Sequence, residues 1–387
     1  MKSMHVAFGV EPLYGHVIPT LGMALELLRR GHRVSYTITN EFVGNISRLG
    51  AEPKIYLPLD IRTALLQQIR NEDGSVHFAK LGSDSWAAHM RRQQARTEDS
   101  LAQWERLYRE DRPDVILHDD CLDTAARSFA DKYGIARIRH EPNRIPPSWL
   151  PKYQGDQLIL VSVPRFFNDN LEQFDDRFRF VGFAPEGRLE FFGSRGQGFQ
   201  PTSANEKMML FAVTTGLLPQ KEFCSTAIRA FAGGPWRVIM SIVATLDPIG
   251  RIDVDSLQPF PANFELNPHA ANFEILEHAS LFIGQGGQGS SCEAMYHGVP
   301  LLVVPASDGH AIVGKHVEEL GLGICLDYSE VTPEKLRETA EFLSSDAAAE
   351  KRVKECRQSM RNDAAAATAA DFIEQYFAGR RSSVRAG

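Results

Sequence analysis

Short apolar runs alternate with longer amphipathic stretches along the first half of the chain. HVAFGV (5–10) is apolar enough for a strand buried on both faces. In VIPTLGMALELLRRGH, Leu21, Leu25 and Leu28 fall at helical spacing on one face, and Gly31 is placed to stop that helix. RVSYTIT (33–39) predicts the next strand, Asn40 is placed to cap EFVGNISRLG, and KIYLPL (54–59) predicts a third strand. Residues 60–110 are mostly polar with helical stretches such as SLAQWERLYRED. DVILHD (114–119), a helix to Tyr133 and the strand IARIRHE follow. Strands alternating with crossover helices imply an α/β domain on a parallel sheet covered on both faces.

The pattern breaks at GSRGQGFQPTSANEK (193–207), which has little to bury and reads as a linker. It then restarts with MMLFAV, a helix at EFCSTAIRAF, RVIMSIV, NFELNP, a short helix ending at His278, and SLFIGQGG. A helix from Ser290, VPLLVVP, a helix around Val317 and ICLD come next, and the tail from Thr332 is helical with an interruption near Asp346. The expected organisation is a first domain over 1–195, a linker over 196–207, a second domain over 208–360 and a final helix over 361–387. A length of 387 residues suits two domains better than one core.

Composition narrows the function classes. The chain is 43% hydrophobic and 24% charged with a net charge of −7, which argues against a nucleic-acid partner. No apolar run is long enough for a membrane span, and MKSMHVAFGV lacks the features of a signal peptide. The five cysteines are scattered without CxxC spacing, which fits reduced thiols in a cytoplasm and predicts no metal site. A homodimer stays open.

In sheets of this kind, ligands bind beyond the C-terminal ends of strands. Two strand-to-helix loops have suitable chemistry there: VEPLYGHVIPT (10–20) and GQGGQGSSCEA (284–294). Glycines in the second let the backbone approach an anion, and a helix start supplies amides for a phosphate. Neither loop is a Walker motif, and the first lacks the GxGxxG of dinucleotide binders, so an oxidoreductase is the weakest reading. The run RRQQAR (91–96) reads as a solvated helix face.

At YGHVIPTLGMALELLRRGHRVSY, FDDRFRFVGF and HASLFIGQGGQGSSCEAMYHGVPLLVVP, followed by HVEELGLGICL, the chain resembles the UDP-glycosyltransferase superfamily, nearest to bacterial macrolide and flavonoid types. The resemblance implies the GT-B fold, two Rossmann-like domains facing across a cleft, with the last helix returning to the first domain. It also implies transfer of a sugar from a nucleoside-diphosphate donor to a small acceptor with inversion. The sugar nucleotide is then a co-substrate, and no cofactor is expected.

Such enzymes use a histidine of the first loop as base, oriented by an aspartate after the fourth strand. By this resemblance the base position is Tyr14 and the aspartate is Asp119, flanked by His118 and Asp120. His16, in the GHxxP turn, is expected to be structural, and His16, His118 and His140 are placed on the acceptor side. On the donor side Gln285 aligns with a diphosphate-binding histidine, while Gly286, Gly287, Gly289, Ser290 and Ser291 form the anion turn. Glu293 is expected at the ribose, and Asn272 of HAAN (269–272) at the base. The pair that grips sugar hydroxyls aligns with Gly309 and His310, with Asp308 one place early.

Two readings follow. The first is an active transferase in which Tyr14 orients a thiol, a phenol or a ring carbon beside one. A phenol titrating near 10 is a poor base at neutral pH. The second is a fold turned to another reaction or to an accessory binding role.

Overall fold

The computed structural model describes residues 3–57, 83–119, 124–193, 201–203, 206–213, 220–242, 257–267, 272–305 and 307–386. Most of the expected linker, the end of KIYLPL, Asp120, Cys121 and the HAA of HAAN lie outside them. Two compact units divide the chain: the first holds described residues up to 57, those of 85–193, and 363–386; the second holds 83–84 and those of 201–362.

The first unit is a parallel sheet of β1 (His5–Gly9), β2 (Arg33–Ile38), β3 (Glu52–Ile55), β4 (Val115–His118), β5 (Ala136–Glu141), β6 (Ile159–Val161) and β7 (Phe178–Phe180). Its order is β3-β2-β1-β4-β5-β6-β7. Burial on both faces explains the apolar strands. Val6, Phe8, Val115 and Leu117 join one core with the helix Leu21–Arg29, while Ala7 and Ile116 face Trp104, Tyr108 and Phe129 on the other. Within Leu21–Arg29 the sheet-facing residues are Leu21, Met23, Ala24 and Leu27, with Leu25 and Leu28 half-buried at the margin. Gly31 ends that helix at φ +82°. Asn40 does not cap as expected. It opens a 3-10 turn whose N-cap position is held by Thr39.

The final helix, Ala365–Ala386, belongs to this unit and packs on Leu21–Arg29. Glu374 accepts from His32 Nε2 (2.7 Å) and from Arg30 Nη1 (2.9 Å), and Arg30 also reaches Asp371 at 2.6 Å. His32 is buried, so this contact satisfies a polar group that burial would otherwise leave costly.

The second unit is also parallel, with β8 (Lys207–Val213), β9 (Trp236–Ile242), β10 (Phe264–Asn267), β11 (Leu281–Gly284), β12 (Leu301–Val303) and β13 (Gly323–Cys325) in the order β10-β9-β8-β11-β12-β13. Met209, Phe211, Val238, Met240, Leu281 and Ile283 carry its core. In the helical tail, Pro333–Ser345 is capped by Thr332, whose hydroxyl accepts from the Lys335 amide. Asp346 makes the interruption: its carboxylate accepts from the Ala348 and Ala349 amides and so starts the helix Ala347–Asn362. Among the described residues no helix is long and apolar enough to cross a membrane.

Candidate active site

Strand order reverses direction between β1 and β4 in the first unit and between β8 and β11 in the second, and ligands bind where that happens. In the first unit Gly9 pairs with His118, so the residues just past them, Val10–Glu11 and Asp119, emerge side by side. The short helix Tyr14–Val17 stands directly after.

This arrangement gives Asp119 a partner other than the expected one. His16 Nδ1 lies 2.8 Å from Asp119 Oδ2, although 103 residues separate them. The Glu11 amide donates to both carboxylate oxygens, at 3.2 and 3.3 Å. Burial pushes the Asp119 carboxyl up, but the facing His16 imidazole, helped by His140 and the Glu11 amide, holds it below the usual carboxylate range. Asp119 is therefore an anion at neutral pH, set against an imidazole.

Tyr14, expected as the residue beside Asp119, packs in an aromatic cluster. Its ring is 5.0 Å from Phe42 and 6.2 Å from Phe191, both edge-on, and stacks 6.0 Å from Phe192. Burial first, and Glu41 second, raise its phenol pKa and make it a still weaker base. The physical reason for the correction is helix geometry: residues two apart in the turn Tyr14–Val17 point to different sides, and His16 takes the side of β4.

His118 is fully buried within β4, in register with Gly9 and Arg139. His140, the residue after Arg139 on the neighbouring strand, is also fully buried. Its Nε2 meets Ser162 Oγ at 2.8 Å, its Nδ1 has no hydrogen-bond partner, and burial lowers its pKa to about 4. It is neutral at pH 7.

The run 91–96 holds a second correction. Arg96 is only 3% exposed, and its Nη2 lies 2.5 Å from Oε1 of the buried Glu11. A long charged helix hides one inward-facing arginine among solvated ones. The visible signal was the acidic residue in the otherwise apolar GVEPL, since a buried carboxylate needs a partner.

In the second unit the turn after β11 leads into the helix Gln288–His297, with Gly287 at its N-cap position. The helix thus starts two residues before the expected Ser290. Ser291's amide is committed to the Gly287 carbonyl (3.0 Å), as is the Ser290 hydroxyl (3.1 Å). The expectation that Ser291 offers its amide to an anion is therefore corrected. The amides ahead of the first intrahelical bond are those of Gln288, Gly289 and Ser290. A Cβ added at Gly289 would meet nothing within 4 Å, so that side of the turn is open.

Around the turn stand buried polar atoms without partners: both amide atoms of Gln285, Ser291 Oγ and His310 Nδ1; Asn272 Oδ1, on the helix Asn272–Leu276, is another such atom. Gly286, at φ +85°, packs against His310 in the first turn of Asp308–Glu319. Ser307 caps that helix, accepting from the His310 amide, while Asp308 is exposed. Glu293 is buried on the helix that follows the turn. Buried polar atoms left unpaired are rare and costly, which makes this turn the donor-side candidate.

Residues 237–375 match the model of the erythromycin biosynthesis protein CIII-like C-terminal domain. The chain is 31% identical to the NDP-glycosyltransferase YjiC of Bacillus subtilis (strain 168), across 97% of this chain and 98% of that one. The chain belongs to the UDP-glycosyltransferase superfamily. Within the superfamily it is also similar to the demethyllactenocin mycarosyltransferase of Streptomyces fradiae, with 26% identity over 96% of this chain and 86% of the relative. Among solved structures it resembles CalG4, the calicheamicin glycosyltransferase, with a TM-score of 0.77 and 26% identity over 98% of this chain and 99% of that one. The GT-B fold expected from the motifs is thus the fold of this superfamily member, and it is an NDP-sugar glycosyltransferase by family.

Proposed function

We propose that this protein transfers a sugar from a nucleoside-diphosphate donor to a hydroxyl of a small natural-product acceptor, with inversion at the anomeric carbon. His16, not Tyr14, is the general base. The observation that carries this reading is the 2.8 Å contact of His16 Nδ1 with Asp119 Oδ2.

With Nδ1–H held by the carboxylate, the imidazole presents its basic lone pair at Nε2. As the acceptor oxygen bonds to the anomeric carbon, its proton passes to Nε2, and the bond from that carbon to the diphosphate oxygen breaks. The Asp119 carboxylate orients the ring and stabilises the imidazolium, as the aspartate does in hydrolytic triads. Attack from the face opposite the leaving group inverts the centre. On the donor side, the amides at the start of Gln288–His297, with the Gln285 amide, suit the charge that builds on the departing diphosphate.

An imidazole base removes the need for an unusually acidic acceptor, so ordinary alcohols and phenols fit. The names of the relatives support the substrate classes: one is named for NDP-dependent transfer, one for mycarosyl transfer to demethyllactenocin, one for calicheamicin. The test is product analysis with UDP- and dTDP-sugars against a panel of phenolic and macrolide acceptors. NMR of the product should show an O-glycoside with an anomeric configuration opposite to the donor's. Retained configuration, or no glycoside from any pairing by protein that binds the nucleotides, would sink the proposal.

A further inference from the structure

The groups that hold Asp119 depend on one short loop, and that loop is tied down from an unexpected direction. The Glu11 carbonyl accepts from the Leu13 amide (2.7 Å), and the Leu13 carbonyl accepts from the amides of His16 and Val17, both at 2.9 Å. Glu11 thereby fixes its own amide on Asp119 and the start of the turn that presents His16. Its side chain points inward to Arg96 on the helix Ser83–Leu107, and both side chains are at most 5% exposed.

A buried ion pair of this kind is a poor source of stability, because desolvating two charges offsets their attraction. The details agree. Glu11 Oε2 has no hydrogen-bond partner, and burial keeps the carboxyl above its ordinary range even with Arg96 beside it. The pair is thus a weak source of stability, yet it pins the point from which the His16–Asp119 contact is built.

We propose that the Arg96–Glu11 ion pair positions the catalytic loop, holding His16 and Asp119 in reacting geometry from the side of the long helix Ser83–Leu107. Neither residue touches the reacting atoms; both act through the loop. The inference rests on the reading of His16 as the base.

Removing one partner leaves the other charge buried and alone, so single deletions report misfolding as readily as misplacement. The double variant Glu11→Gln/Arg96→Met removes both charges at once, with no net change in charge near His16. Among the described residues, Asp119, Glu11, His140 and Glu141 interact electrostatically with His16. With the fold checked by circular dichroism and nucleotide affinity, turnover of the double variant should fall about 10- to 100-fold, the scale of a small misplacement of a reacting group. The His16 imidazole, identified in NMR as the signal lost in His16→Gln, should titrate lower than in the wild type as its carboxylate partner drifts. Arg96→Lys, which keeps the charge but loses the fork, should fall between wild type and the double variant in both readouts.

A folded double variant with wild-type turnover and an unmoved His16 titration would overturn the proposal. The same holds if the double variant does not fold and Arg96→Lys matches wild type in both. Full turnover by His16→Gln would remove the base reading instead. The NMR titration needs no turnover and would still judge whether Arg96 and Glu11 position His16.

Discussion

Gly286 lies so close to the main chain of His310 that a Cβ added there would stand 2.7 Å from the His310 carbonyl oxygen. Its φ of +85° is also one that only glycine adopts without strain. Gly286→Ala should therefore push the anion turn away from the start of Asp308–Glu319. The strain alone is worth about 1–3 kcal/mol. A lowered Tm together with a nucleoside-diphosphate Kd raised at least about 10-fold is expected by calorimetry. A variant with both values unchanged would mean that this close contact does not shape the donor turn.

Gln285 should respond with opposite signs in stability and binding. Its amide is buried with both ends unpaired, a cost of about 1–3 kcal/mol to the empty protein. Gln285→Leu should raise the Tm of the unliganded protein and weaken nucleoside-diphosphate binding by about 10-fold or more. A thermal-shift titration reads both. Unchanged binding would take Gln285 out of the donor site.

Acid sensitivity should trace in part to His140. Its pKa of about 4 in the folded chain lies below the ordinary 6.5, so between these values the unfolded chain holds a proton that the native one does not. Stability should fall as pH drops from about 6.5 toward 4, by about 3 kcal/mol in all. Asp119 works below that window. Its lowered pKa keeps its contribution intact above about 3.9 and loses it only on further acidification. Glu11 and Glu141, both raised, work in the opposite direction as pH falls. The difference between wild type and His140→Gln therefore isolates the histidine. Parallel urea-stability curves at pH 7 and 4.5 for the two proteins would contradict the assignment.

The fold was legible because it rests on local pattern. Val6 and Phe8 on one face with Ala7 on the other is what a doubly covered parallel strand demands, and Gly31 and Asp346 punctuate helices by local backbone chemistry. The site was legible only in part, because its defining contacts are long-range. Asp119 could be named through the family resemblance, but its contact with His16 depends on which way a four-residue helix faces. Arg96 sits among solvated charges, and nothing local separates it from them; its partner Glu11 is 85 residues away. On the donor side Gly286 meets His310 as the turn closes. The committed Ser291 amide emerged only with the true start of the helix at Gln288.

The central claim is that His16, held by Asp119, takes the acceptor's proton, and single-turnover transfer by His16→Gln at saturating donor tests it most directly. The variant should lose about 10²–10⁴-fold in rate, the range of a general base, with nucleoside-diphosphate affinity unchanged. Tyr14→Phe, which removes only a hydroxyl and keeps the ring against Phe42 and Phe192, should stay within about 10-fold of wild type. The reverse result, near-normal transfer by His16→Gln and a loss beyond a thousand-fold in Tyr14→Phe, would contradict the account and make Tyr14 the catalyst.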